Sequence, residues 1–293
     1  MQKDTLWFNI LGYSFIATAA LICVIPFLIV ISGSFTSEEM IIRQGYSLIP
    51  RDFSLEAYRV LFLAPEKIIR AYGVTIFVTL LGTVASLFFT AMTAYVLYRK
   101  DFHYRNAAAF FFYFTTLFNG GMIPTYIVMV RYLHLKDNLL ALILPSLISV
   151  FFMLILRSFM TGSIPDSLVE SAKIDGSGDF HIFVTIILPL MTPALASVGL
   201  FIALHYWNDW FSAMLYMQKD TLFPLQYLLY KMISSVQFAS AVTAGGSGIP
   251  TTDMPQQSMK LAMTVVATGP IILAYPFVQR FFIAGITIGA VKG

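Results

Sequence analysis

From Leu6 to Ile31 the chain carries no charged side chain. That run limits the fold more than any other feature. About 20 apolar residues in a helix cross a hydrocarbon core of roughly 30 Å. Inside lipid a backbone must satisfy its own N–H and C=O groups, which leaves helices and closed barrels. Similar runs recur at 71–98, 107–130, 139–160, 190–217 and 258–282. The expected fold is an all-α integral membrane protein with six transmembrane helices. Composition agrees: 58% of the 293 residues are hydrophobic and 11% are charged, where a soluble domain is about a quarter charged. The first run exceeds a signal-peptide core and lacks a small-residue cleavage site, so it reads as a retained span. Pro26 within it predicts a kink or a weakened end. A net charge of +3 gives no reason to expect a nucleic-acid partner. The single Cys23 excludes an internal disulfide.

The connections set the topology. Arg99 to Arg105 is a short basic loop, which the positive-inside rule places in the cytoplasm and the N-terminus with it. Residues 36–70 mix charges with apolar residues, and Ser54 to Leu63 has the spacing of a short amphipathic helix. The third span is interrupted at Asn119-Gly120-Gly121-Met122-Ile123-Pro124. Such a break is tolerated where protein or a wet cavity covers the backbone, so Asn119 is either a pathway residue or part of a plain outer turn. The outer half of the fifth span reads His205-Tyr206-Trp207-Asn208-Asp209. Its aromatic rings suit a membrane interface. They also suit sugar rings, whose apolar faces and hydroxyl edges match aromatic and polar side chains together. Gly245 to Gly248 predicts a flexible loop tip.

One stretch is not built for lipid. Ser163 to Pro189 holds Asp166, Glu170, Lys173, Asp175 and Asp179 between two apolar runs. Ser163 and Asp166 have capping-box spacing, and Pro165 is tolerated in a first helical turn. Gly176 is placed to stop that helix in a left-handed turn. Ser177 or Asp179 can cap a second helix that runs to Pro189. The prediction is an elbow of two helices at the membrane surface, facing the cytoplasm after four passes.

The residues of this elbow resemble a known family. Glu170-Ser171-Ala172, Ile174-Asp175-Gly176 and Leu188-Pro189, with Ile164-Pro165 before and Pro193 after, look like the EAA loop of permease subunits of binding-protein-dependent ABC importers. The maltose-type, carbohydrate-uptake branch fits best. Ser171 stands where alanine is usual, a small residue for a small one. The resemblance implies the type I importer permease fold. Residues 1–35 would be the tail and first helix, and 36–70 an extracytoplasmic segment. Residues 71–283 would be the core, with its coupling loop at 163–189, and 284–293 a cytoplasmic tail. Pro165, Leu168, Glu170, Ser171, Ala172, Asp175, Gly176 and Pro189 would couple to the ATPase, with Glu170 as polar anchor and Leu168 and Ala172 packed beside it. His205, Tyr206, Trp207, Asn208, Asp209 and Asn119 would line the solute path.

The implied partners are a homologous second permease, two ATPase subunits, an extracytoplasmic solute-binding protein and membrane lipid. ATP and magnesium would be bound by the ATPase subunits, and this chain would carry no cofactor and no catalysis. It has no Gly-x-x-x-x-Gly-Lys-Ser/Thr loop, and its four histidines lack metal spacing. The implied cargo is an oligosaccharide. Phe118-Asn119-Gly120-Gly121 and the Gly289-Ala290-Val291-Lys292-Gly293 ending resemble permeases for complex plant and algal polysaccharides, alginate importers among them. Three alternatives remain at this point: an ABC permease for a non-sugar solute; an ion-coupled secondary transporter, for which Asp209 is the one intramembrane acid available; and a membrane-embedded enzyme, which would need paired catalytic polar residues that the spans do not offer.

Overall fold

The computed structural model describes residues 2–244 and 255–290. Among these residues the regular structure is helical, and the one extended pairing is an isolated bridge between Thr36 and Phe53. The chain divides into two compact units, Met1–Ile68 with Leu229–Ile272, and Ile69–Leu228 with Leu273–Gly293.

The first unit begins with α1 (Gln2–Ser34), which runs unbroken through Pro26. Its apolar stretch is exposed along most of its length, and only its end, Ser32 to Ser34, is buried within this chain. Two short helices follow, α2 (Glu38–Gln44) and α3 (Glu56–Leu61). The amphipathic helix expected at 54–63 is therefore α3, with the Ser54 hydroxyl accepting from the Glu56 N–H at 3.2 Å. Sequence spacing gave no sign of α2. Its Glu38 carboxylate accepts N–H bonds from Gln257 and Ser258 at 2.8–2.9 Å and the Ser258 hydroxyl at 3.0 Å. These satisfy amides that the start of a helix leaves unpaired, here the start of Gln256–Ala290. Phe35 stacks on Phe53 at 5.7 Å between centroids.

The second unit holds most of α4 (Pro65–Tyr98), which starts six residues before the expected Ala71 because Pro65 is a permitted first helical residue. Then come α5 (Arg105–Leu117) and α6 (Met122–Ile127), which ends in one π turn at Val128–Tyr132. The predicted break lies between α5 and α6, with Gly121 at φ +91°. The fourth span is not one helix. It is α7 (Leu140–Ile143) with a 3₁₀ turn through Ser146, then α8 (Val150–Ser163), bent by 51°. Pro145 in that turn has no N–H to continue an α-helix.

The elbow comprises α9 (Asp166–Ile174), α10 (Asp179–Ile182), a π turn at Phe183–Ile187 and α11 (Leu188–Leu190). After an 84° bend, α12 (Thr192–Asn208) leads to α13 (Phe211–Tyr216). The fifth span therefore does not run on as helix to Met217; it stops at Asn208. Last come α14 (Leu225–Ala244) and α15 (Gln256–Ala290), the latter containing the expected sixth span and unbroken at Gly269-Pro270. The predicted glycine tip at 245–248 lies outside the described residues.

Among the described residues two helices are long and apolar enough to cross a membrane, or four if each bent pair is one span. The broken third segment does not meet that test as one piece.

In the second unit α4 and α12 pack closely. A Cβ on Gly82 would lie 2.8 Å from the Tyr206 ring, so only glycine admits the approach. The Tyr206 hydroxyl donates to the Ile143 carbonyl at 3.0 Å, one of the groups beside the Pro145 bend. The ring holds α4 while the hydroxyl holds the bend. Gly82→Leu is expected to cost about 1–3 kcal/mol by overpacking. Thermal unfolding in detergent would register this, and an unchanged midpoint would contradict the packing.

Candidate coupling elbow

The elbow follows from local backbone chemistry. Ile164 and Pro165 are extended, which ends α8 and turns the chain into α9. Asp175 caps α9, and Gly176 follows at φ +81°. The Gly176 N–H donates to the Lys173 carbonyl and the Ser177 N–H to the Ala172 carbonyl, each at 2.9 Å. This is the Schellman pattern, the left-handed stop predicted for Gly176. The expected N-terminal caps are absent. Ser163 is the last residue of α8, Pro165 stands at the N-cap position, and Gly178 rather than Ser177 or Asp179 precedes α10.

The acids missing from the caps are bound elsewhere. Asp166 accepts the Tyr98 hydroxyl at 3.1 Å and pairs with Lys100. Asp179 accepts from Arg99 Nη1 at 2.6 Å. Arg99 Nε and Nη2 fork onto Asp101 at 2.8 and 2.5 Å, and Lys173 also pairs with Asp101. Arg99 Nη1 further donates to the Tyr95 hydroxyl at 2.7 Å. The end of α4 and the loop after it are thus bonded to both elbow helices. None of Tyr95, Tyr98, Arg99, Lys100 or Asp101 stood out in the sequence as part of the elbow. Arg99 and Lys100 served there only as topology markers.

Electrostatics keep the network ionised. Burial would lower the Arg99 pKa, but its bonds to Asp101, Asp179 and Tyr95 outweigh this and raise it. Arg99, then Lys173, holds the Asp101 carboxyl well below the usual carboxylate range. Lys100 is the main cause of a lowered Asp166. A carboxylate depressed in the folded state contributes stability above its unfolded pKa of about 4 and loses it as pH falls through the folded value. Arg99, Asp101 and Asp166 therefore keep their charges at neutral pH. Beside it a groove of about 210 Å³ is lined by Tyr98, Lys100, Asp166, Val169, Glu170 and Lys173.

The structure gathers seven of the predicted coupling residues on and around α9. Val169 and Ala172 face inward. Leu168, expected with Ala172 as a packed neighbour of Glu170, is 42% exposed, and Val169 takes the inward place. Glu170, Ser171, Asp175 and Gly176 are exposed, as is Pro165. Ile174 is 86% exposed, an apolar side chain held out in solvent. Pro189 lies further on, in α11 just before the 84° bend.

The predicted pathway residues separate. His205 is exposed, its Nε2 2.9 Å from the Ser146 hydroxyl. Tyr206 is only 3% exposed and braces the Pro145 bend, so it offers no face to a solute. Trp207 is half-buried. Asn208 donates to the Leu204 carbonyl at 2.9 Å and accepts from Gln226 at 3.3 Å. Asp209 accepts the Ser212 N–H at 3.0 Å, at the start of α13. Asn119 is spent in its own turn, accepting from the Gly121 N–H at 2.8 Å.

Residues 91–288 match the model of the binding-protein-dependent transport system inner membrane component family. The chain belongs to that family. It is 44% identical over 287 residues, 98% of each chain, to the polygalacturonan/rhamnogalacturonan transport system permease protein YtcP of Bacillus subtilis. It is 30% identical to the arabinooligosaccharides transport system permease protein AraQ of Halalkalibacterium halodurans, over 98% of this chain and 96% of that one. A crystal structure of a bacterial ABC transporter involved in import of the acidic polysaccharide alginate contains a chain that superposes with a TM-score of 0.78 and 30% identity, covering 96% of this chain and 98% of that one. The protein is a permease subunit of an ABC importer, a membrane component and not an enzyme; ATP is hydrolysed in a separate subunit.

Proposed function

We propose that this permease passes an oligosaccharide from an acidic plant or algal polysaccharide into the cell. A second permease would complete the pore with it, two ATPases binding ATP and magnesium would drive it, and an extracytoplasmic binding protein would deliver the cargo. The chain would cross the membrane six times with both termini inside, α5 and α6 sharing one crossing around their break. Residues 36–70 would lie outside and help seat the binding protein.

The elbow carries the coupling reading. It has a buried side at Val169 and Ala172 and an exposed side at Leu168, Glu170, Ser171 and Ile174, which fits a groove on an ATPase. Closure of the ATPase dimer would carry α9 with it. Motion would then pass to α8 and, through α10 and α11, to α12, and the cavity would turn from inward-facing to outward-facing. His205, Trp207, Asn208 and Asp209 would meet solute, His205 and Asn208 being exposed. The cargo class rests on the full-length likeness to permeases named for pectic and alginate transport.

Two measurements test this reading. An ATPase subunit should co-purify with the detergent-extracted chain. Cells or vesicles carrying the complex should take up labelled uronate oligosaccharides in preference to neutral ones. Uptake confined to an amino acid or an inorganic ion would remove sugar from the proposal.

A further inference from the structure

Charged groups from three parts of the chain meet where α4 ends. The Arg99 side chain is 8% exposed, while its partners Asp101 and Asp179 are 53% and 66% exposed. One edge of the guanidinium forks onto Asp101, and its remaining nitrogen reaches Asp179 at 2.6 Å. Lys173 of α9 closes on the same Asp101 and lies 3.7 Å from Asp179. A rigid planar fork can hold two carboxylates at fixed angles, which an ammonium on a flexible stem cannot.

The peptide links at the elbow are short and non-helical. α9 joins α8 through the extended Ile164-Pro165 pair, and joins α10 through Gly176-Ser177-Gly178. Side-chain contacts, Asp166 with Tyr98 and Lys100 among them, therefore decide how far a displacement of α9 is passed on.

We propose that Arg99 is a positioning residue that clamps the elbow to α4, so that the ATPase's push enters α4 directly and not only through the chain ends of α9. The proposal rests on the coupling reading above and adds a third helix to the route. The clamp is formed within one subunit, and its charges are already matched before any partner arrives. Its role is stiffness.

The test uses the full complex in a Cys23→Ser background, with spin labels on cysteines at His103 and Ile174, both exposed. The expected 103–174 distance distribution is narrow and the same with and without ATP. With Arg99→Gln it should broaden or shift on adding ATP, and solute-stimulated hydrolysis should fall about tenfold, within the range usual for coupling between sites. Asp179→Asn, which leaves the Arg99–Asp101 fork intact, should move both readouts in the same direction. An Arg99→Gln distribution identical to that of the parent would overturn the clamp, and so would a parent distance that changes with ATP. Cross-linking from Ile174→Cys to the ATPase keeps the two ideas separate. Its absence would remove the coupling reading, while the distances still decide whether Arg99 clamps.

Discussion

Gly176→Pro is expected to abolish solute-stimulated ATP hydrolysis in the reconstituted complex while the chain still inserts in the membrane. Gly176 sits at φ +81°, and proline fixes φ near −65°. Proline also removes the N–H that donates to the Lys173 carbonyl. Both bonds that end α9 would fail, and Asp179 would leave Arg99. Nothing lies within 4 Å of a Cβ built on Gly176, so the effect comes from the backbone and not from crowding. That allows a graded series. Asparagine, which enters the left-handed region readily, should keep most of the stimulation, alanine less, and proline none. The readout is the ratio of hydrolysis with binding protein and solute to hydrolysis without them. Equal ratios for glycine and proline would remove the turn from the mechanism.

Glu170→Lys should have an effect of similar size by another route. Glu170 lies on the open side of α9 with Ser167, Ser171 and Ile174, the helical spacing that presents one face. A face meant for a partner is arranged with complementary charge, and a like-charge contact costs several kcal/mol. Reversing the sign should therefore release the ATPase. Co-purification of the ATPase should drop at least tenfold, and stimulated hydrolysis with it. Glu170→Gln, which keeps the shape and loses the charge, should fall between. Full retention of the ATPase by the lysine variant would show that this face meets nothing acidic or basic in its partner.

Much of the elbow was legible because its signals are local. Gly176 stops α9 for the reason its residue type gives, and the Asn119–Gly121 break interrupts a helix where two glycines and a proline cluster. The failures are failures of locality. Ser163 and Asp166 have capping-box spacing, yet Asp166 is drawn to Lys100 and Tyr98, 66 and 68 positions away. Asp179 is drawn to Arg99 across 80 positions. No window along the chain contains both ends of such a bond, and a charged pair outcompetes a cap. The bent spans were missed for a related reason. Pro145 and Pro189 were visible, but a proline states only that a ladder is interrupted, and neighbours such as Tyr206 decide the angle. Tyr206 itself was assigned to the solute path from its aromatic and polar character, whereas its hydroxyl has a backbone partner supplied by another helix.

The π turn at Phe183–Ile187 has a consequence for sequence length. Such a turn widens a helix by one extra residue, and each residue of an α-helix advances the azimuth by about 100°. Removing one residue there would let the segment relax to a regular spiral. Because the wider turn rotates less per residue, the helices on either side would keep nearly the same facing, with every side chain chemically unchanged. A one-residue deletion at 183–187 is thus expected to leave α9 aimed as before, whereas the same deletion within the regular turns of α12 would rotate what precedes it by about 100°.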